Sequence, residues 1–271
     1  MLYAEKMAIP VRKEDTALLA DINEALRQMR EDGMMKTIHR RYFGLTGPSE
    51  TYQGGAMPGS VIAAKLLKGF AVTLGIAAAA LVIGFLLAVP CGLILNRPQG
   101  GFALLYWPVR TIVDFIRGTP VLIQLLFAWM GLGLSPLVAA IGTLGINSMA
   151  YMAEVIRAGL MSVPRGQVQA GRALALSRWQ VFRYVVWPQA FRVAIPPLMN
   201  SVVALTKDTA LVAVISVAEV IREAQAIISV TFEPRKYYFL VAIMFFVVTF
   251  PLMKFAGIME TRIRRKGYAH D

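Results

Sequence analysis

A single cysteine, two histidines and few charges narrow what this chain of 271 residues can be. Cys91 has no second cysteine to pair with, so no disulfide forms within the chain. It lies inside an apolar run and reads as a small buried hydrophobe. His39 and His270 are too few and too far apart for a metal site. No Gly-x-x-x-x-Gly-Lys-Ser/Thr occurs, and the dipeptide Gly-Lys is absent altogether. If ATP drives this protein, another subunit binds it. No nucleophile–base pair stands out, which argues against catalysis. Charged residues make up 16% and hydrophobic ones 57%, far from the balance of a soluble domain. No sustained alternation of period two is present, which excludes a sandwich or a barrel.

What is present in quantity is long apolar sequence. Windows near 70–95, 118–134, 136–156, 193–215 and 237–257 are each about 17–25 residues, long enough to cross a bilayer as a helix. The expectation is an all-α, polytopic membrane protein with about five core transmembrane helices. The net charge of +12 suggests nucleic acid, but its placement argues against that partner. Residues 1–50 hold eight Lys/Arg and eight Asp/Glu, so the excess lies in the membrane part. There it falls in short loops and in the tail Arg262-Ile-Arg-Arg-Lys266, the positive-inside pattern. With the 157–192 segment and the tail in the cytoplasm, parity puts the Arg97–Arg117 loop inside and residues 1–60 outside.

The N-terminal segment differs in kind. Glu14 to Met29 is an amphipathic helix with Leu18, Ile22, Ala25, Leu26 and Met29 on one face, capped by Asp15 or Thr16 and ended by Gly33. A short strand at Ala8–Arg12 and a second short helix with Met34, Met35 and Ile38 flank it. Together they hold too little apolar surface for a core of their own. Residues 1–20 carry charges throughout and lack the apolar core of a signal peptide. Residues 45–60, rich in Gly and Pro, read as a linker.

The densest information lies between Glu154 and Asp208. From Val155 to Thr206 there is no acidic residue but six arginines: Arg157, Arg165, Arg172, Arg178, Arg183 and Arg192. Ala170, Leu174, Ser177 and Val181 recur at helical spacing, a narrow stripe of small and apolar residues bordered by Arg172, Arg178 and Arg183. Such a stripe suits a helix that docks closely into a groove on another protein; a helix lying on lipid headgroups is the other reading.

Several ordered motifs give this region a family resemblance. Gly69-Phe-Ala-Val-Thr-Leu74, Phe115-Ile-Arg-Gly-Thr-Pro120, Asn147 to Arg157, Ser162-Val-Pro-Arg-Gly-Gln167, Pro188-Gln-Ala190, Leu205-Thr-Lys-Asp-Thr209 and Leu211-Val-Ala-Val-Ile215 follow one another. Their order and spacing over residues 65–258 resemble the polar amino acid family of ABC-importer permeases. The resemblance implies a transmembrane domain over 61–260 and a basic cytoplasmic tail over 261–271. It also implies a location in the cell inner membrane, with the N-terminus extracytoplasmic and the C-terminus cytoplasmic. A coupling helix would dock on ABC ATPase subunits through Gly166, Gln169, Ala170, Gly171, Ala173, Leu174, Ala175 and Ser177. No cofactor is implied in this chain; ATP and Mg would sit on the ATPase. The other implied partners are a periplasmic solute-binding protein, a second permease copy or sister permease, and a polar or charged amino acid. Ile9-Pro-Val-Arg-Lys13, Leu18–Leu26, Gly33 and Tyr42-Phe-Gly44 resemble the C-terminal end of a periplasmic amino-acid-binding protein. Residues 1–44 are therefore expected to be a remnant of one, in a fusion shortened or recorded from an internal start.

The chain departs from the family pattern. Gln169-Ala170-Gly171 stands where the family has glutamate–alanine–alanine, Ala175 where it has glycine, and Trp187 where it has leucine. A glycine inside a helix costs about 1 kcal/mol relative to alanine, so weaker coupling, or a transport-inactive remnant, is an alternative. A secondary transporter is another, though no internal repeat supports it. Charges within spans are costly and usually functional. Asn147, Tyr151 and Glu154 share one helical face and are candidates to line a substrate path; alternatively Glu154 pairs with Arg157. Lys207 and Asp208 are further pathway candidates, expected to neutralise each other or neighbours at a helix break, with Pro196-Pro197 already interrupting the regular helix earlier. Glu219, Arg222 and Glu223 read as an ionic cluster, Arg117 as a snorkelling cation, and the four tryptophans mostly as interfacial anchors.

Overall fold

The computed structural model describes residues 16–34, 57–96 and 103–267, and every regular element among them is helical. The expected strand at 8–12, the body of the second short helix, residues 42–44 and most of the linker lie outside the described residues. Helix α1 (Thr16–Glu31) forms where the amphipathic pattern places it, and Gly33 follows at φ +77°, the left-handed conformation that ends a helix. The first membrane helix, α2 (Gly59–Leu95), opens after Pro58, whose carbonyl accepts from the Val61 and Ile62 amides. At 1.5 Å per residue α2 is about 55 Å long, more than a bilayer core needs.

Helix α3 (Ala103–Gly118) and helix α4 (Val121–Leu126), continued by a π-helical turn at Phe127–Gly131, meet at a bend of 105°. The expected window at 118–134 straddles that bend, so the second span is broken rather than straight. Pro120 causes it: the residue before a proline is pushed out of helical geometry, and the proline starts the next helix. Helix α5 (Pro136–Met161) is the most buried span. Helix α6 (Arg165–Ala173) and helix α7 (Arg178–Gln180, running into a π-helical turn at Val181–Val186) form the basic segment. Helix α8 (Trp187–Asp208) passes into a 3-10 turn at Thr209–Ile215, helix α9 (Val220–Thr231) follows, and helix α10 (Pro234–Gly267) ends the described chain. Among the described residues, four helical stretches are long and apolar enough to cross a membrane, or five if the bent pair is counted as one span.

Two boundary expectations shift. Helix α8 continues through Pro196 and Pro197, and regular geometry gives way only after Asp208. Membrane helices tolerate such prolines because neighbouring helices and hydroxyl side chains take up the freed carbonyls. The tail expected to begin at 261 is still helical to Gly267.

Small residues bring the spans together, as expected where the surrounding solvent is itself apolar. A Cβ on Gly84 would lie 3.0 Å from the Gly145 carbonyl, and one on Gly92 would lie 2.8 Å from the Ile156 side chain. A Cβ on Gly159 would lie 2.8 Å from the Ala190 carbonyl. These glycines seat α2 and α8 on either side of α5. Around that spine Ala88, Val113, Met152, Ile156 and Leu198 form one apolar cluster; Ile76, Leu125, Leu144 and Val212 form a second. A third, from Leu66, Val220, Ile227 and Tyr237, joins α9 and α10 to the start of α2. Large side chains such as Leu86, Phe115, Phe239 and Phe246 remain exposed around the outside, as a lipid- or partner-facing surface requires.

Candidate functional site: a coupling loop and a polar break in the membrane

The basic segment folds as two short helices with a left-handed corner. Helix α6 begins at Pro164, whose carbonyl accepts from the Gln167 amide, and stops at Ala173. The corner is closed by bonds from the Leu174 amide to the Ala170 carbonyl, Ala175 to Arg172 and Leu176 to Gly171. Ala175 sits at φ 57°, the geometry that ends helices and that usually falls to glycine. Ser177 then caps the next helix through a capping box: its hydroxyl accepts from the Gln180 amide, and the Gln180 side chain accepts from the Ser177 amide.

This geometry corrects the single stripe read from spacing. Ala170, Leu174, Ser177 and Val181 do not run along one helix, because the chain turns at Ala175. Val181 is buried and points back at Gly171, where a Cβ would stand 3.1 Å from its Cγ2. Gly171 is thus the seat on which α7 rests, and its helix cost is offset by a close approach. Gly166, Gln169, Ala170, Ala173, Leu174, Ala175 and Ser177 all lie at the exposed side of the corner, with Leu174 76% exposed. Among the described residues, Arg165, Arg172, Arg178 and Arg183 make no ion pair. The corner thus leaves an exposed leucine and several cations without ion pairs open to whatever lies against it. Trp179, Phe182, Trp187 and Phe191 stack in sequence at 5.8–5.9 Å and tie the loop to α8.

A second group of polar residues gathers at the break between α3 and α4. Gln124 donates to the Ile116 carbonyl at 2.8 Å and to the Thr119 hydroxyl at 2.8 Å, satisfying groups freed by the bend. Its side-chain oxygen accepts from Asn147 of α5 at 3.3 Å. One turn further on, the Arg117 guanidinium lies over the Tyr151 ring, 5.5 Å from its centre. Sequence reasoning missed Gln124, a lone amide in an apolar run, and placed Arg117 at a membrane surface. About eleven residues, or roughly 16 Å, separate Asn147 from the start of α5, which puts the group well inside that apolar span.

Glu154 belongs to a different set of contacts. Arg157 grips its carboxylate with two guanidinium nitrogens, and Arg110 of α3 stands 3.6 Å away. Arg110 also donates to Asp114 at 2.7 Å. Glu154 therefore clasps α3 to the end of α5 that leads into the coupling loop. Among the described residues, Lys207 and Asp208 form no ion pair with each other. The expected ionic cluster at 219–223 divides: Glu219 is buried as the cap of α9, while Glu223 faces Lys65 at 3.6 Å.

Comparison with known proteins gives a consistent setting for these features. Residues 88–265 match the model of the binding-protein-dependent transport system inner membrane component family. The chain is 34% identical over 206 residues to the glutamine transport system permease protein of Escherichia coli (strain K12), covering 73% of this chain and 93% of that one. It is 37% identical over 167 residues to the L-cystine transport system permease protein of Bacillus subtilis (strain 168), covering 59% and 71%. Among solved structures, an amino acid ABC transporter with histidines superposes with a TM-score of 0.69 at 31% identity, covering 78% of this chain and 100% of that one. An inward-facing methionine ABC transporter shares the fold at a TM-score of 0.61 and 21% identity. The chain belongs to the binding-protein-dependent transport system inner membrane components, as a multi-pass permease of the ABC-importer type.

Proposed function

We propose that this permease carries polar or charged amino acids through the inner membrane as the transmembrane subunit of an ATP-driven importer. The observation that carries the reading is the exposed corner at Ala170–Ser177, a docking surface on a chain with no nucleotide-binding sequence of its own. ATP and Mg are held by separate ATPase subunits, which grip Leu174 and its basic surround. Closure of the ATPase pair moves α6 and α7, and the Glu154–Arg157–Arg110 clasp passes that motion to α3. The substrate class follows from relatives named for glutamine and cystine transport. Substrate reaches the pathway from an extracytoplasmic binding protein and passes Arg117, Asn147 and Tyr151, with Gln124 holding the break open; Lys207 and Asp208 line the path further along α8. Five spans enclose no complete channel, so a second permease copy or a sister permease supplies the other wall. The positive-inside distribution places the loop and the C-terminus in the cytoplasm and the N-terminus outside. The motifs within residues 1–44 support a relationship of this segment to the C-terminal end of a periplasmic amino-acid-binding protein.

The test is copurification. The tagged chain is expressed in its native host, solubilised gently, and its companions are identified by mass spectrometry. Recovery of an ABC ATPase subunit in stoichiometric yield is the expected result; a permease that repeatedly emerges alone contradicts the proposal.

A further inference from the structure

The end of the molecule away from the basic loop holds a buried carboxylate that transport through the loop and the bend does not use. Glu219 is 0% exposed. One of its oxygens accepts from the Arg222 amide at 2.9 Å, capping α9; the other lies 3.2 Å from the Thr73 hydroxyl of α2, itself fully buried. The Thr73 oxygen also accepts from the Val220 amide at 3.2 Å, while its single proton has the Gly69 carbonyl at 3.0 Å and Glu219 at 3.2 Å as alternative acceptors. Four residues before Thr73, a Cβ on Gly69 would lie 3.0 Å from both the Glu223 side chain and the Val220 backbone, so the helices touch without a gap. Four residues earlier again, Lys65 faces Glu223 at 3.6 Å. Positions 65, 69 and 73 form one stripe of α2, and all of it is matched by the first turn of α9.

A buried, close-packed polar contact resists sliding. We propose that Glu219 is a positioning residue for transport: it clasps α9 to α2 so that the two move as one body. The inference rests on the transport reading above, because it assigns a role within the transport cycle.

The experiment uses the copurified complex in lipid vesicles, with Cys91→Ser as the parent chain. Lys65→Cys and Glu223→Cys are introduced together and joined by a short bifunctional thiol reagent. If α2 and α9 move as one body, the joined complex keeps at least half of the parent's ATP-driven amino acid uptake. Glu219→Ala lowers uptake about tenfold at unchanged ATP hydrolysis, and joining 65 to 223 in that variant restores it. A merely structural loss would lower hydrolysis and uptake together and would not be restored. Joining that abolishes uptake while hydrolysis continues would overturn the clasp, since it would show that the two helices must separate. Absence of ATP-driven uptake in the parent complex would instead overturn the transport reading, and the clasp with it.

Discussion

Ala175 is one of three non-glycine residues held in left-handed geometry among the described residues, with Ser216 and Phe232. An alanine held in left-handed geometry costs roughly 1–2 kcal/mol that glycine does not incur, partly offset by glycine's larger unfolded-state entropy. Ala175→Gly is therefore expected to stabilise the corner by about 1 kcal/mol, or about fivefold in its local opening. Slower trypsin cleavage at Arg172 and Arg178 would register the change; unchanged cleavage would show that the corner does not limit opening. Arg117 is the other residue whose environment makes a specific demand. It is a cation within an apolar segment, lying over an aromatic ring and acting electrostatically on Glu154 without a direct ion pair among the described residues. Arg117→Leu is expected to reduce amino acid uptake while leaving the yield of folded complex and its ATP hydrolysis intact. Equal loss of yield and uptake would reassign Arg117 to a structural role.

At the scale of elements, the spans depend on glycines at which helices nearly touch. Gly92→Leu would drive a side chain into Ile156 and the Ala153 carbonyl of α5, where the nearest atoms already stand 2.8–2.9 Å from a Cβ. Overpacking of this kind costs about 1–3 kcal/mol, so the thermal midpoint of the solubilised protein is expected to fall; Gly75→Leu, with open space around it, should leave the midpoint in place. The spans themselves were legible in the sequence, because length and hydropathy are what a bilayer selects. The bend was not, although Pro120 was visible: hydropathy averages over a proline, and only the Gln124 bonds show how the break is satisfied. Spacing arithmetic failed at the coupling loop for a related reason. It assumes one continuous helix, and Ala175 turns the chain before the stripe is complete. Glu154 was legible in both its readings; the Arg157 and Arg110 contacts favour the anchoring one.

At the scale of the whole molecule, two surfaces at opposite ends of the spans define the account. One is the basic corner around Leu174, where another protein's ATP chemistry would enter; the other is the clasped α2–α9 body. Between them lies the polar break at Arg117, Gln124, Asn147 and Tyr151. The family was legible from the order of short motifs, each weak alone, while the joining of those motifs in space was not. Arg117 and Tyr151 lie 34 residues apart and meet only because the second span bends. The most direct test of the account is ATP-driven uptake by the reconstituted complex carrying Leu174→Glu, which sets a negative charge in the middle of the docking surface. The account predicts that the parent complex accumulates labelled amino acid only when ATP is supplied, and that the Leu174→Glu complex assembles in the membrane but accumulates none. Accumulation by Leu174→Glu at the parental rate would contradict it.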